Sequence, residues 1–210
     1  MGNAKRAVIV CSGPIDDDEY FKAQLSFEDF VICADGGWDH CQRCGIRPSV
    51  VIGDLDSCRE KPHEVEVIRY PCEKDDTDLS LCLKYAAEKG FHEAVIFGGL
   101  GGRIDHTFAN LQLLVFALSL GLRCRLESRE VTVLTVSDGS VILQNCLGKT
   151  VSIFSNGDRS SGITLEGFQY PLNDAELTNT FPLGISNIVT SDAAIVRVEN
   201  GTLFVMLSHE

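Results

Sequence analysis

Two aspartates one residue apart, Asp54 and Asp56, follow an apolar run and a glycine in the stretch V-I-G-D-L-D-S at residues 51–57. If the run is a strand, both carboxylates sit just past its end, where side chains two apart point the same way. Two carboxylates held together repel unless a cation shares the site, and a divalent metal is the simplest such cation. Three further groups of related chemistry occur. Asp35 precedes Gly36 and Gly37. Asp75, Asp76, Thr77 and Asp78 form the end of E-K-D-D-T-D at 73–78. Arg103, Asp105 and His106 follow the glycine-rich G-G-L-G-G at 98–102, with Asn110 one turn on. That loop is not a Walker A loop, lacking G-K-[ST], nor the G-x-G-x-x-G of dinucleotide folds. Its glycines, Gly101 and Gly102 among them, still suit backbone N–H groups approaching phosphate at a helix start, with Arg103 to pair the oxygens. Each group alone has a plain structural reading. Asp35-Gly-Gly makes a turn, the aspartates of the other two motifs cap helices, and His106 and Asn110 serve as hydrogen-bonding helix residues.

The elements that would position these residues follow from hydrophobic patterning. Apolar runs at 7–11, 30–33, 50–52, 65–70 and 94–97 predict five strands. Helices are predicted over 16–26, over a short stretch ending near Gly45, and from Asp76 or Thr77 to Gly90 on a stripe of Leu79, Cys82, Leu83 and Ala86. A long apolar helix is predicted over about 105–120, stopped by Gly121. Alternation of this kind predicts an α/β domain, Rossmann-like, with a largely parallel sheet and flanking helices. Ligands of such sheets bind outside the carboxyl ends of the strands. Asp35, the 54/56 pair, the 75–78 cluster and the glycine loop all fall there, and only the acidic run at 16–19 is expected elsewhere. Together they describe a Mg²⁺–polyphosphate site fitted to phosphoryl or diphosphoryl transfer, or to hydrolysis by the same carboxylates. A non-catalytic nucleotide sensor is the remaining alternative, and so many carboxylates beside a polyphosphate argue against it.

After Leu122 helical periodicity vanishes. Short runs of Val, Ile, Leu and Thr take over, punctuated by Asp138-Gly139, Asn156-Gly157 and Asn200-Gly201, each a hairpin signal. The expected organisation is an α/β domain at 1–123 and an all-β sandwich at 124–210. Of the 210 residues 44% are hydrophobic and 23% charged, and the net charge is −12. With no basic run, a nucleic-acid partner is not expected. No apolar stretch suits a signal peptide or a bilayer span, and the nine cysteines lie mostly in apolar runs, as reduced thiols of a cytoplasmic protein do. Cys41 and Cys44 form one C-x-x-C with no second pair to complete a zinc site.

The motifs A-D-G-G (34–37), G-D-L-D-S (53–57), K-D-D-T-D (74–78) and G-G-R-I-D-H (101–106), with Asn110 after them, resemble the thiamine pyrophosphokinase family. So do G-I-T-L-E-G-F-Q-Y-P-L (162–172) and L-G-I-S-N (183–187) in the second half. The resemblance implies transfer of the diphosphate of ATP to the hydroxyl of thiamine, giving AMP and thiamine diphosphate. It implies that Asp35, Asp54, Asp56, Asp75 and Asp78 bind Mg²⁺ and diphosphate or assist deprotonation, with Asp54, Asp56 and Asp75 on the metal. Arg103 and Asp105 would serve the nucleotide, framed by Gly36, Gly37, Asp76, Thr77, Gly101, Gly102, His106 and Asn110. Tyr170 would stack on thiamine while Ser186 and Asn187 hydrogen-bond it. It further implies a homodimer with its active site at the subunit interface. Two departures bear on affinity: Trp38 follows A-D-G-G where a small residue is usual, and Tyr170 stands where some members carry Trp.

Overall fold

The run A-V-I-V at the start of the chain is fully buried at every position and forms the central strand β1 (Ala7–Val10). A computed structural model describes residues 6–70 and 75–209. Lys74 of the K-D-D-T-D motif lies outside them. The fold is mixed α/β, and the chain divides into two compact units, Met1–Arg129 and Glu130–Glu210.

In the first unit β1 is joined by β2 (Phe30–Ala34), β3 (Val50–Gly53), β4 (Glu66–Arg69), β5 (Glu93–Phe97) and β6 (Arg123–Glu127). Every neighbouring pair is parallel, in the order β6-β5-β1-β2-β3-β4. The buried runs of β1, β2, β3 and β5 are what a sheet covered on both faces requires. β6 was not expected in this unit. Its sequence R-C-R-L-E alternates charged and apolar residues and so resembles a half-buried antiparallel strand, yet it pairs with β5 in parallel.

Four helices flank these strands: α1 (Asp18–Ala23), α2 (Gly37–Cys44), α3 (Asp78–Glu88) and α4 (Ile104–Ser119). Asp17 caps α1 by accepting the Tyr20 N–H at 2.9 Å, and Thr77 caps α3 by accepting the Ser80 N–H at 3.2 Å. Phe21, Trp38 and Cys41 join strand residues, Phe97 among them, in one core cluster. No helix among the described residues is long and apolar enough to cross a membrane.

The chain runs outward from β1 in both directions, to β2 on one side and β5 on the other. The strand order therefore reverses between β1 and β5, the point where open parallel sheets bind ligands. There the Gly13 N–H donates to the Gly98 carbonyl at 3.0 Å, tying the loop after β1 to the glycine loop after β5. The acidic run at 16–19 also lies at this edge, contrary to expectation. Asp17 pairs at 2.6 Å with Arg129, two residues past the carboxyl end of β6. The first strand ends at Val10, so the loop that follows carries 16–19 to the carboxyl side.

The second unit holds β7 (Val131–Gln144), β8 (Thr150–Ser155), β9 (Arg159–Glu166), β10 (Leu172–Thr178), β11 (Asn187–Ile188) and β12 (Ala193–Ser208), with no helix among its described residues. None of the three expected hairpins forms among the described residues. Asp138-Gly139 lies inside β7 and Asn200-Gly201 inside β12, and these two strands pair antiparallel along nearly their whole lengths. The register slips between Val198 and Thr202, where the Gly201 N–H donates to Asp138 at 2.8 Å. Left-handed backbone at Asp138 and Gly201 makes a bulge here rather than a turn, and the two sequence signatures are alike. Asn156-Gly157 does join β8 to β9, but both of those strands pair with β12, one on each side of the bulge.

Candidate functional site

The ends of β2 and β3 and the start of α3 converge. A Cβ built on Gly53 would lie 2.9 Å from the Asp35 Cβ and 3.3 Å from an Asp78 carboxylate oxygen. Asp35 is 3% exposed and takes left-handed backbone, φ 46°. Its own N–H donates to the Ile52 carbonyl at 2.9 Å, and one of its carboxylate oxygens accepts the Ser57 N–H at 3.3 Å. The turn after β3 is tied in the same manner: Asp54 accepts the Asp56 N–H at 3.1 Å and Asp56 accepts the Ser57 hydroxyl at 3.0 Å. Leu55, between the two aspartates, is also left-handed at φ 68°. Such backbone at a non-glycine residue costs about 1–3 kcal/mol and persists where neighbouring contacts over-determine it.

One carboxylate oxygen from each of Asp35, Asp54 and Asp56 lies within 4.8 Å of the others. Opposed ligand oxygens stand about 4.2 Å apart across Mg²⁺ and about 4.8 Å apart across Ca²⁺, so a hard-oxygen set of this span suits a divalent cation of either kind. Among the described residues Asp75 is not in this trio and is exposed. The trio therefore includes Asp35 where the sequence suggested Asp75. The negative field reaches the neighbouring thiols. Burial, followed by the charge of Asp35, pushes Cys58 up to about 12, and burial with a contribution from Asp78 does the same to Cys11. The Cys58 thiol also lies 3.4 Å from the Asp35 carbonyl.

Other expected residues have structural partners. Lys84 donates to both Asp76 oxygens at 2.7 and 2.8 Å, and the Ser80 hydroxyl donates to one at 3.0 Å. Thr77 is the cap of α3. Asn110 donates to the Gly99 carbonyl at 2.8 Å and so braces the glycine loop, in which Gly101 and Gly102 are left-handed at φ 77° and 63°. Arg103 forks onto Asp105 at 3.1 and 2.5 Å, holding that carboxylate below its usual range; both side chains are exposed, as is His106, whose N–H donates to Asp105. Gly36 and Gly37 open α2 against β1, and a Cβ on Gly37 would overlap the Val10 carbonyl oxygen. Trp38 is buried in the core of the unit, edge-on to His63 with ring centres 5.7 Å apart.

In the second unit Tyr170 is 63% exposed and Ser186 is exposed with φ 57°, while Asn187 is buried and bonded to the Tyr170 backbone. Sequence reading missed Ser57, Cys58, Lys84 and the Gly13 loop. Ser57 was quoted in its motif without a role. The Gly13 loop carried the signal S-G-P after a strand, but its importance depends on strand order. Nothing marked Lys84 as the partner of Asp76.

The model described as thiamin pyrophosphokinase, catalytic domain, matches residues 21–126, and that described as thiamin pyrophosphokinase, vitamin B1 binding domain, matches 140–203. The curated thiamine pyrophosphokinase of Bacillus subtilis is 32% identical over 171 residues, covering 78% of this chain and 80% of that protein. The crystal structure of thiamine pyrophosphokinase from B. subtilis superposes with a TM-score of 0.88 at 28% identity, over 98% of this chain and all of the other. That of Geobacillus thermodenitrificans gives 0.84 at 25% identity, over 97% of each chain. The chain is an enzyme and belongs to the thiamin pyrophosphokinase family.

Proposed function

We propose that this chain transfers the diphosphate of ATP to the hydroxyl of thiamine, releasing AMP and thiamine diphosphate. The observation that carries the reading is the Asp35–Asp54–Asp56 trio at the carboxyl edge of the parallel strands, in a chain that matches both domains of the family. Asp54 and Asp56 hold Mg²⁺ with Asp35 as the third carboxylate, and Asp75 and Asp78 serve the diphosphate at the start of α3. Mg²⁺ bound there offsets the negative charge of the ATP phosphates. Arg103 takes phosphate oxygens, oriented by Asp105 and beside the positive end of α4. Gly36, Gly37, Gly101, Gly102 and His106 frame the nucleotide, while Asp76, Thr77 and Asn110 hold the loops that do so. Tyr170 and Ser186 meet thiamine, the tyrosine by stacking.

The fold reading that goes with this is a Rossmann-like unit for ATP and a β-sandwich for thiamine, divided near residues 123–129. The working form is a homodimer with its active site at the subunit interface. Support comes from α4, an apolar helix of which only Leu114 and Ala117 are buried while Ile104 and Phe108 are 86% and 62% exposed. A cytoplasmic setting is in keeping with eight described cysteines that are all free thiols.

Incubation with ATP and Mg²⁺, with and without thiamine, tests the reaction. AMP appears only with thiamine; equal ATP loss in both would make the protein a phosphohydrolase, and ATP binding without AMP would make it a sensor.

A further inference from the structure

The Tyr170 segment is held by an unusual substitute for a strand pairing. Residues 167–170 run antiparallel to 187–190, with the Thr190 N–H donating to the Gly167 carbonyl and the Gln169 N–H to the Ile188 carbonyl, each at 2.8 Å. Phe168 bridges Val189 between them. One step further the ladder meets Pro171, which has no N–H to give. At that step the side chain of Asn187 takes over. Its carboxamide oxygen accepts the Tyr170 N–H at 3.0 Å and the Ile188 N–H at 2.9 Å, and its nitrogen donates to the Tyr170 carbonyl at 2.7 Å. Asn187 is 7% exposed. It is turned inward by the left-handed Ser186, whose N–H is held by the Ser152 hydroxyl at 3.0 Å. The carboxamide oxygen and one of its two N–H donors are thus engaged with backbone, while the Tyr170 ring stands exposed.

We propose that Asn187 is a positioning residue for the thiamine end of the site: it clamps both backbone groups of Tyr170 so that the ring is presented in one orientation, instead of spending its own amide on the substrate. The inference rests on the functional reading above. Its physical basis is preorganisation, since a ring already fixed loses less freedom when a ligand stacks on it. Asn is needed because the clamp requires a donor and an acceptor on one short planar group.

The test compares the thiamine KM, the ATP KM and kcat of the wild type, Asn187→Ala, Asn187→Asp, Tyr170→Ala and the double variant Tyr170→Ala/Asn187→Ala. Amide hydrogen exchange at Tyr170 is read in Asn187→Asp. The aspartate keeps the shape but sets an acceptor against the Tyr170 carbonyl, so it stands in if the alanine variant does not fold. The expected result is a thiamine KM raised about tenfold by either single change at Asn187, as by Tyr170→Ala. The double variant is no worse than Tyr170→Ala, the ATP KM is unchanged, and Tyr170 exchanges faster. Multiplying effects in the double variant would mean that Asn187 meets thiamine itself and would overturn the inference. So would an unaltered thiamine KM in a folded Asn187→Asp. Failure of the wild type to need thiamine for AMP release would instead sink the functional reading, while the exchange at Tyr170 would still decide whether the clamp exists.

Discussion

The two units present their proposed site residues by opposite means. In the first, side chains far apart in sequence are gathered because parallel strands all end at one edge; Asp35, Asp54 and Asp78 meet although each follows a different strand. The turns that carry Asp35 and Leu55 are strained, and their own carboxylates accept the N–H groups that hold them in place. In the second unit one short segment is braced by a single buried carboxamide. The first arrangement concentrates charge, so it is vulnerable to loss of a carboxylate. The second fixes the orientation of one ring, so it is vulnerable in affinity.

The contrast can be broken or sharpened by substitution. Asp54→Asn or Asp56→Asn is expected to lower kcat at least about a hundredfold, the scale of removing one preorganised electrostatic group. The melting temperature should hardly move, because Asp54 is only partly buried and Asp56 is exposed. Near-normal kcat in AMP-release assays with Mg²⁺ would end the metal-site reading. Tyr170→Ala should raise the thiamine KM about tenfold with little change in kcat at saturation, from a stacking contribution of about 1–3 kcal/mol. An unchanged KM removes Tyr170 from the site. Gly37→Ala should act on the first unit through packing, since the new methyl meets the Val10 carbonyl; overpacking of this kind costs about 1–3 kcal/mol. Denaturant melts would detect that cost, and wild-type stability would contradict the close approach of α2 to β1.

The smallest effect concerns acid stability. Burial works to raise the Asp29 carboxyl, but the Arg6 guanidinium at 2.9 Å and the Ser26 N–H outweigh it and leave it below its usual value. A depressed carboxyl adds stability above its ordinary pKa, and this is lost as the pH falls through its lower folded value. Asp29→Asn should therefore lower the melting temperature slightly at pH 7, and the gap should close below about pH 4. A gap that persisted in acid would separate this pair from the stability of the unit.

Much of the first unit was legible because its central strands β1, β2 and β3 are short, apolar and ended or soon followed by glycine. Placing the candidate ligand residues at strand ends needed only the rule for parallel sheets. What stayed hidden depends on long-range order: that β6 extends the sheet, that β1 and β5 flank the reversal, and that Asp35 rather than Asp75 stands with Asp54 and Asp56. Side-chain direction in a turn is set by φ values such as 46° at Asp35, and no spacing rule supplies those. The family resemblance held for most of the chain, while the hairpin rule failed at all three signals: at Asp138 and Gly201 because left-handed residues serve bulges as readily as turns, and at Asn156-Gly157 because the strands it joins pair with β12 instead of each other.

The long pairing of β7 with β12 has a consequence for how the molecule is made. Ser208 pairs with Val131, and Thr132 bonds His209 across 77 positions of sequence. β12 is also the partner of β8 and β9, so none of the second unit's central ladder can close until this strand has been synthesised. The first unit has all its strands by Glu127. During translation the first unit can thus condense before the second, which waits for its last strand; both close long loops, since Ala7 pairs with Ala94 in the one as Ser208 pairs with Val131 in the other.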